Sequence, residues 1–311
     1  MKALEELMKD ETAGDPMTGL LWTHKSLSNI QQALRVQGFC LSRPTIRRLL
    51  LSRDYSMRVN HKSEAGKQSA GRDEQFAYIA RWRKAFLRRK LPVISVDTKK
   101  VELVGKFKQT GCEWRKSSRR VNLYDFPQMA SGKAIPYGIY DVGGTQGFVV
   151  VGTTHDTARF AVAAIRQWWL KVGKRVYANQ QHLLIECDCG GSNGSRRRLW
   201  KVGLQALADE CRLTITVTHY PTGASKWNPI EHRMFNLISG NWAGRPLESY
   251  ETVLNYISTT RTQTGFSCQA YLDTTVYSTG LKVSNAEFKT LSLRPHKRFP
   301  KWNYTIYPRM R

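Results

Sequence analysis

The hydrophobic pattern first repeats at helical spacing within residues 23–55. Leu27, Ile30 and Leu34 follow Ser26, whose hydroxyl suits a helix start. Gln37-Gly38-Phe39 reads as a turn, with Gly38 free to take the backbone angles that end a helix. Ser42 then caps a second helix with Pro44 in its first turn. Ile46, Leu49 and Leu50 face inward, leaving Arg43, Thr45, Arg47 and Arg48 outward. This is helix-turn-helix spacing with a basic second helix, and it points to DNA. Polar residues 60–75 read as a linker. A helix carrying Phe76, Ile79, Trp82, Phe86 and Leu87 among basic residues follows.

From residue 91 the pattern becomes strand-like. Leu91–Asp97 is an apolar run ending in an acid, followed by runs over 135–140 and 147–152. Asp156 is placed to cap a helix with Phe160, Ala164 and Trp168 on one face. Leu183–Asp188 is a second apolar run ending in an acid, and the Gly190–Gly194 loop after it is sharp. A helix with Trp200, Leu204, Leu207 and Cys211 comes next, then a strand over 213–217, then a helix opening at Asn228-Pro229-Ile230-Glu231. Strands alternating with helices predict an α/β fold, a mixed sheet covered on both faces. In residues 245–311, Tyr250, Val253, Leu254 and Ile257 give a helix, Ser284 and Glu287 a capping box, and Trp302, Tyr304 and Ile306 a strand. The expected organisation is a helix-turn-helix DNA-binding region (1–60), a linker and basic helix (61–90), a catalytic domain (91–244) and its carboxyl-terminal extension (245–311).

Charge sharpens this picture. The 311 residues carry 49 Lys and Arg against 24 Asp and Glu, a net charge of +25. The basic residues cluster at 81–90, 115–120, 196–201 and from 294 onward. Such an excess predicts a polyanionic partner, nucleic acid before membrane. No stretch reaches the ~20 apolar residues of a membrane span, and the first 15 residues have no signal-peptide core. The six cysteines include no CxxC pair and read as reduced packing residues of a cytoplasmic protein.

Within a basic chain, acids at chosen positions carry the chemistry. Asp97 and Asp188 end buried strands, at the rim where open α/β sheets place their sites. Glu231 opens a helix after a long loop. Three carboxylates brought together suit hard divalent cations such as Mg²⁺. Two such ions ~3.5–4 Å apart activate a water or 3′-hydroxyl and stabilise the leaving oxygen. Local structure offers other roles for each acid. Asp97 and Asp188 can serve turns, and Glu231, three residues after Asn228, can complete a capping box. Asp141, Asp156, Glu186 and Glu210 compete for the site, with Asp156 best read as a helix cap.

Two strings then carry a resemblance. Asp188-Cys189-Gly190-Gly191-Ser192-Asn193-Gly194-Ser195-Arg196, and Thr222-Gly223-Ala224-Ser225-Lys226-Trp227-Asn228-Pro229-Ile230-Glu231-His232-Arg233, resemble the DDE transposases of bacterial insertion sequences, the ISAzo type in particular. Val96-Asp97-Thr98-Lys99-Lys100 is similar to that family's first acidic motif, and Trp302-Asn303-Tyr304 to its carboxyl-terminal signature. The likeness runs from about residue 20 to the end. It implies an RNase H-like fold and a metal-binding triad of Asp97, Asp188 and Glu231, separated by 91 and 43 positions. It also implies two Mg²⁺ ions, with Mn²⁺ as a substitute. Binding to terminal inverted repeats, DNA cleavage and strand transfer are implied too, by a homo-oligomer on double-stranded DNA in the bacterial cytoplasm and nucleoid. Lys226 joins Arg43, Thr45, Arg47 and Arg48 as a candidate DNA contact. The family pattern has additional amino-terminal sequence, so a short amino terminus is expected here, and Tyr220-Pro221-Thr222 departs from its Pro-Pro-Gly form. A catalytically decayed DNA-binding derivative is the alternative reading, and a nuclease that only hydrolyses is a third.

Overall fold

The computed structural model describes residues 3–4, 13–14, 21–22, 26–53, 55–56 and 71–309. The chain divides into two compact units, Met1–Glu64 and Ala65–Arg311. Most of the expected linker lies outside the described residues.

In the first unit, α1 (Leu27–Val36) and α2 (Arg43–Leu51) form where the sequence places them. The Ser26 and Ser42 hydroxyls accept the N–H groups of Asn29 and Thr45, satisfying donors that a helix start leaves open. Gly38, at φ +87°, ends α1, and the Phe39 N–H donates to the Leu34 carbonyl at 2.8 Å. Ile30, Leu34 and Ile46 are buried together with Leu4.

The second unit is built on a nine-stranded mixed sheet. Its strands are β1 (Val93–Thr98), β2 (Glu102–Val104), β3 (Gly132–Asp141), β4 (Gln146–Gly152), β5 (His182–Cys187), β6 (Thr214–His219), β7 (Ser267–Asp273), β8 (Leu293–Pro295) and β9 (Asn303–Ile306). Across the sheet the order is β8-β9-β6-β5-β1-β3-β4-β7, with β2 paired to β3. β1, β5 and β6 are mutually parallel, and β1, β3 and β4 run antiparallel in succession. That central arrangement is the RNase H-like fold. The carboxyl-terminal segment supplies β7 to one end of the sheet and β9 and β8 to the other, so it is woven into the core.

Alternation along β1 decides what each face holds. Ile94 and Val96 enter a core with α4 (Ala158–Trp168) and α5 (Arg198–Cys211), beside Phe160, Trp168, Trp200 and Leu204. Val93, Ser95 and Asp97 turn to the opposite face. There α3 (Arg72–Arg88) packs Phe86 against Val93 and Leu184. The basic helix expected after the linker is therefore fixed to this sheet. The Gln75 amide donates to the His219 carbonyl and exchanges hydrogen bonds with the Asn303 amide, each 2.8–2.9 Å. Arg83 Nε donates to the fully buried Glu186 at 2.8 Å. The helical stretch opened by Glu231 covers the neighbouring part of that face. Helical from Pro229, it passes through a π turn (Glu231–Phe235) and continues as α6 (Asn236–Asn241), burying Met234, Phe235 and Ile238.

Candidate catalytic site

Asp97 and Asp188 meet because two parallel strands run in step. β1 pairs β5 with Val96 beside Cys187, and the next residue on each strand is an aspartate. Both carboxylates project from the sheet face that carries Ser95 and Glu186, at the carboxyl ends of the strands. Burial and the neighbouring Asp188 push the Asp97 carboxyl up to about 8, although the Thr98 N–H donates to it at 2.8 Å. Burial pushes Asp188 up to about 6, with Glu231 adding to it and a hydrogen bond from Asn228 opposing. Glu231 is also raised by burial, against the pull of His232 and Lys99. The three acids predicted from sequence thus share one electrostatic neighbourhood.

Asn228 ties this neighbourhood together. Its amide N–H groups donate to the Asp188 carboxylate at 3.1 Å and to the Val96 carbonyl at 3.3 Å, and its amide oxygen accepts from the Ser95 hydroxyl. The Ser95 oxygen in turn accepts the Ile230 N–H at 3.1 Å. The expected capping box is therefore not formed. The Asn228 side chain is engaged with the strands, its N–H donates to the Ser225 carbonyl, and Ser95 on β1 takes the first-turn N–H of Ile230. Proximity of the helix depends on Gly138, the β3 partner of Asp97: a Cβ there would collide with Met234 and Phe235.

Behind Asp188 lies a buried relay. His219 Nδ1–H donates to the Asp188 carbonyl at 2.8 Å, Tyr304 O–H reaches His219 Nε2 at 3.2 Å, and Trp200 Nε1–H donates to Tyr304 at 2.9 Å. Burial lowers His219 to about 4, so it stays neutral. The Tyr304 of the carboxyl-terminal string thereby braces the backbone of Asp188. Ser95, Asn228, Gly138 and His219 were not singled out as site residues from sequence. Only Asn228 had a signal, through its place in the Asn-Pro-Ile-Glu string.

Three of the four competing acids are engaged elsewhere. Glu186 is held by Arg83 and Glu210 by Arg166 at 2.7 Å. Asp141 accepts the N–H groups of Gly143 and Gly144, both at 3.0 Å, and the Tyr177 hydroxyl. Asp156 is not the expected helix cap, because the Thr157 hydroxyl accepts the Phe160 N–H at 3.2 Å. Asp156 accepts instead from Thr98 at 3.1 Å and stands at the rim of the site. Its own carboxyl is raised by burial.

Asp97, Asp188 and Glu231 offer only oxygen donors, which is the chemistry of a hard divalent cation. Among the described residues no three such side chains already converge on a single point. Burial raises Asp97 most and repulsion from Asp188 and Glu231 adds to it, and a cation relieves that repulsion, so the residues fit such an ion. Of the expected DNA contacts, Arg43, Arg47 and Arg48 are exposed on α2. Thr45 is half-buried, its hydroxyl 2.8 Å from Ser42. In the second unit Lys226 is exposed on a short turn (Ser225–Trp227) beside the Trp227 ring. No helix among the described residues is long and apolar enough to cross a membrane.

The family described as Rhodopirellula transposase DDE domain matches residues 3–308. No curated protein matches the chain. Among solved structures, the Mos1 transposase paired-end complex with left transposon end is similar at a TM-score of 0.45 and 13% identity, over 81% of this chain and 68% of that one. The Mos1 mariner paired end complex with Mn is similar at 0.44 and 14%, over the same shares.

Proposed function

Because the chain belongs to the transposase DDE-domain family, we propose that it binds the terminal inverted repeats of an insertion sequence, cuts DNA there and joins the new end to target DNA. The observation that carries the site assignment is the register of β1 with β5, which sets Asp97 beside Asp188 on the face that the Glu231 helix covers. Asp97, Asp188 and Glu231 would hold two Mg²⁺ ions, with Mn²⁺ able to replace them. When bound, the ions activate a water or a 3′-hydroxyl and stabilise the leaving oxygen.

The chain's own residues supply the rest. Asn228 aims the Asp188 carboxylate, and the Thr98 N–H aims that of Asp97. Arg43, Thr45, Arg47 and Arg48 read or grip the element ends, and Lys226 holds a phosphate near the acids. We assign residues 1–60 to end recognition and 91–311 to catalysis, with pairing of copies on DNA bringing two ends together.

Incubating the protein with a labelled element end and a target plasmid, with and without Mg²⁺, tests the reading. Metal-dependent cleavage and joined products are expected. Cleavage without joining would make it a nuclease, and binding without either reaction would make it a decayed derivative. The presence of all three acids favours the active enzyme.

A further inference from the structure

Between β2 and β3 the chain leaves the sheet for residues 105–131. The base of this excursion is fixed. Phe107 is buried, the Gly105 N–H donates to the Leu247 carbonyl at 2.7 Å, and the Gly244 N–H donates to the Thr110 carbonyl at 2.9 Å. One side of the brace follows the strand of Asp97, and the other follows the helix of Glu231. Beyond the base most side chains face water, although Glu113 pairs with Arg115 and Arg245, and Arg119 pairs with Glu248 at 3.7 Å. Trp114 is wholly exposed, and five of the fifteen large exposed hydrophobic side chains among the described residues lie between 114 and 129. An apolar concentration of this kind marks a contact surface. It is interleaved with cations: residues 105–131 carry six Lys and Arg against two acids, and Arg115, Lys116, Arg119 and Arg120 are all exposed.

Aromatic faces set among cations suit nucleic acid whose bases are open to stacking. A second copy of this chain fits less well, because it would bring another +25 charge against an already basic loop. We propose that the loop is a stacking platform for unpaired nucleotides of the bound DNA. Trp114, with Tyr124 and Phe126, takes base faces, and the Arg115–Arg120 run takes phosphates. The inference rests on the reading of the chain as a DNA-cutting enzyme.

Two labelled duplexes test it in chelator, one fully paired and one ending in a short unpaired fork, with binding followed by fluorescence anisotropy. The full-length protein is expected to prefer the fork. Trp114→Ala removes no buried contact. It should weaken fork binding by about tenfold, within the range of one base–aromatic stack, and leave paired binding within about twofold. Trp114→Phe should restore most of the loss. Arg119→Ala with Arg120→Ala should weaken both duplexes and flatten the salt dependence. The proposal is overturned if the wild type shows no fork preference or if Trp114→Ala binds the fork normally. It is equally overturned if Trp114→Ala only dissociates an oligomer in sedimentation velocity. Metal-dependent cleavage retained alongside such a result removes this inference alone, whereas a wild type that binds no DNA removes the functional reading as well.

Discussion

The side-chain amide of Asn228 donates to the carboxylate of Asp188 across 3.1 Å while also reaching the β1 backbone at Val96. One buried residue thus couples the start of the Glu231 helix to both acid-bearing strands. Asn228→Ala leaves the Ser95 hydroxyl without its acceptor in a dry environment, while the Val96 carbonyl keeps the Asn193 amide at 3.4 Å. A loss of about 1–3 kcal/mol in chemical denaturation is expected. Metal-dependent cleavage should fall steeply while binding to element ends persists. Normal cleavage by this variant would show that Asp188 is aimed by something else.

Glu231 makes no cap, so its substitution separates chemistry from stability. Glu231→Gln and Glu231→Ala remove no cap and relieve repulsion on Asp97 and Asp188, so neither should be less stable than wild type by more than about 0.5 kcal/mol. Both should lose cleavage. A Glu231→Gln variant that still joins ends in Mg²⁺ would remove Glu231 from the site, and Asp156 would be the next carboxylate to test.

The raised carboxyl of Asp97 gives a pH signature. Its proton is held more tightly in the folded chain, at about 8, than at the ordinary value of 3.8. The associated stability is fully present below the ordinary value and declines as pH rises toward about 8. A bound cation must displace that proton, so its grip tightens over the same window. Mg²⁺ should therefore raise the melting temperature more at about pH 8 than near pH 6. Asp97→Asn should raise the metal-free melting temperature at the higher pH and abolish the Mg²⁺ response. Equal Mg²⁺ shifts at both values would contradict the assignment.

Much of this was legible in the sequence because it is written in short-range pattern. The caps at Ser26 and Ser42, the turn at Gly38, and apolar runs that end in Asp97 and Asp188 are all local signals. What the pattern could not carry was pairing over distance. The Asn228 side chain looked like a cap because its neighbours in sequence suit one, yet its partners lie 132 and 40 residues away. Asp156 misled in the same way, since Thr157 beside it caps equally well. The carboxyl-terminal strand was readable at Tyr304. Its place beside β6, and its link through His219 to Asp188, depend on register that alternation does not specify.

Gly138 sets how closely the Glu231 helix approaches the sheet. A methyl group there meets Met234 and Phe235, which are packed among Tyr140, Val149 and Ile230 and have little room to yield. Gly138→Ala should cost about 1–3 kcal/mol through overpacking and reduce cleavage by lifting Glu231 from Asp97. Met234→Ala, by opening space at the collision, should recover part of the cleavage lost in Gly138→Ala. Without such recovery, the defect would not arise from helix spacing.

Recognition of element ends is assigned to α2, and its residues predict different outcomes. Arg43 and Arg47 lie one helical turn apart, and Arg48 flanks them, all exposed. An arginine that grips guanine through both nitrogens contributes about 1–3 kcal/mol of discrimination, so its alanine variant should relax sequence preference at one base pair. An arginine on phosphate should instead lower affinity for every sequence and flatten the salt dependence. Thr45 should matter less, because its hydroxyl is already engaged with Ser42 at the helix start. Binding of Arg43→Ala, Arg47→Ala and Arg48→Ala to matched and mutated element ends over a salt series distinguishes these roles. Footprinting with residues 1–60 deleted decides the assignment itself: protection of the inverted repeats should disappear while non-specific binding by the basic second unit remains. Were the repeat footprint unchanged, end recognition would belong to the second unit, and α1 with α2 would be an ordinary helical hairpin.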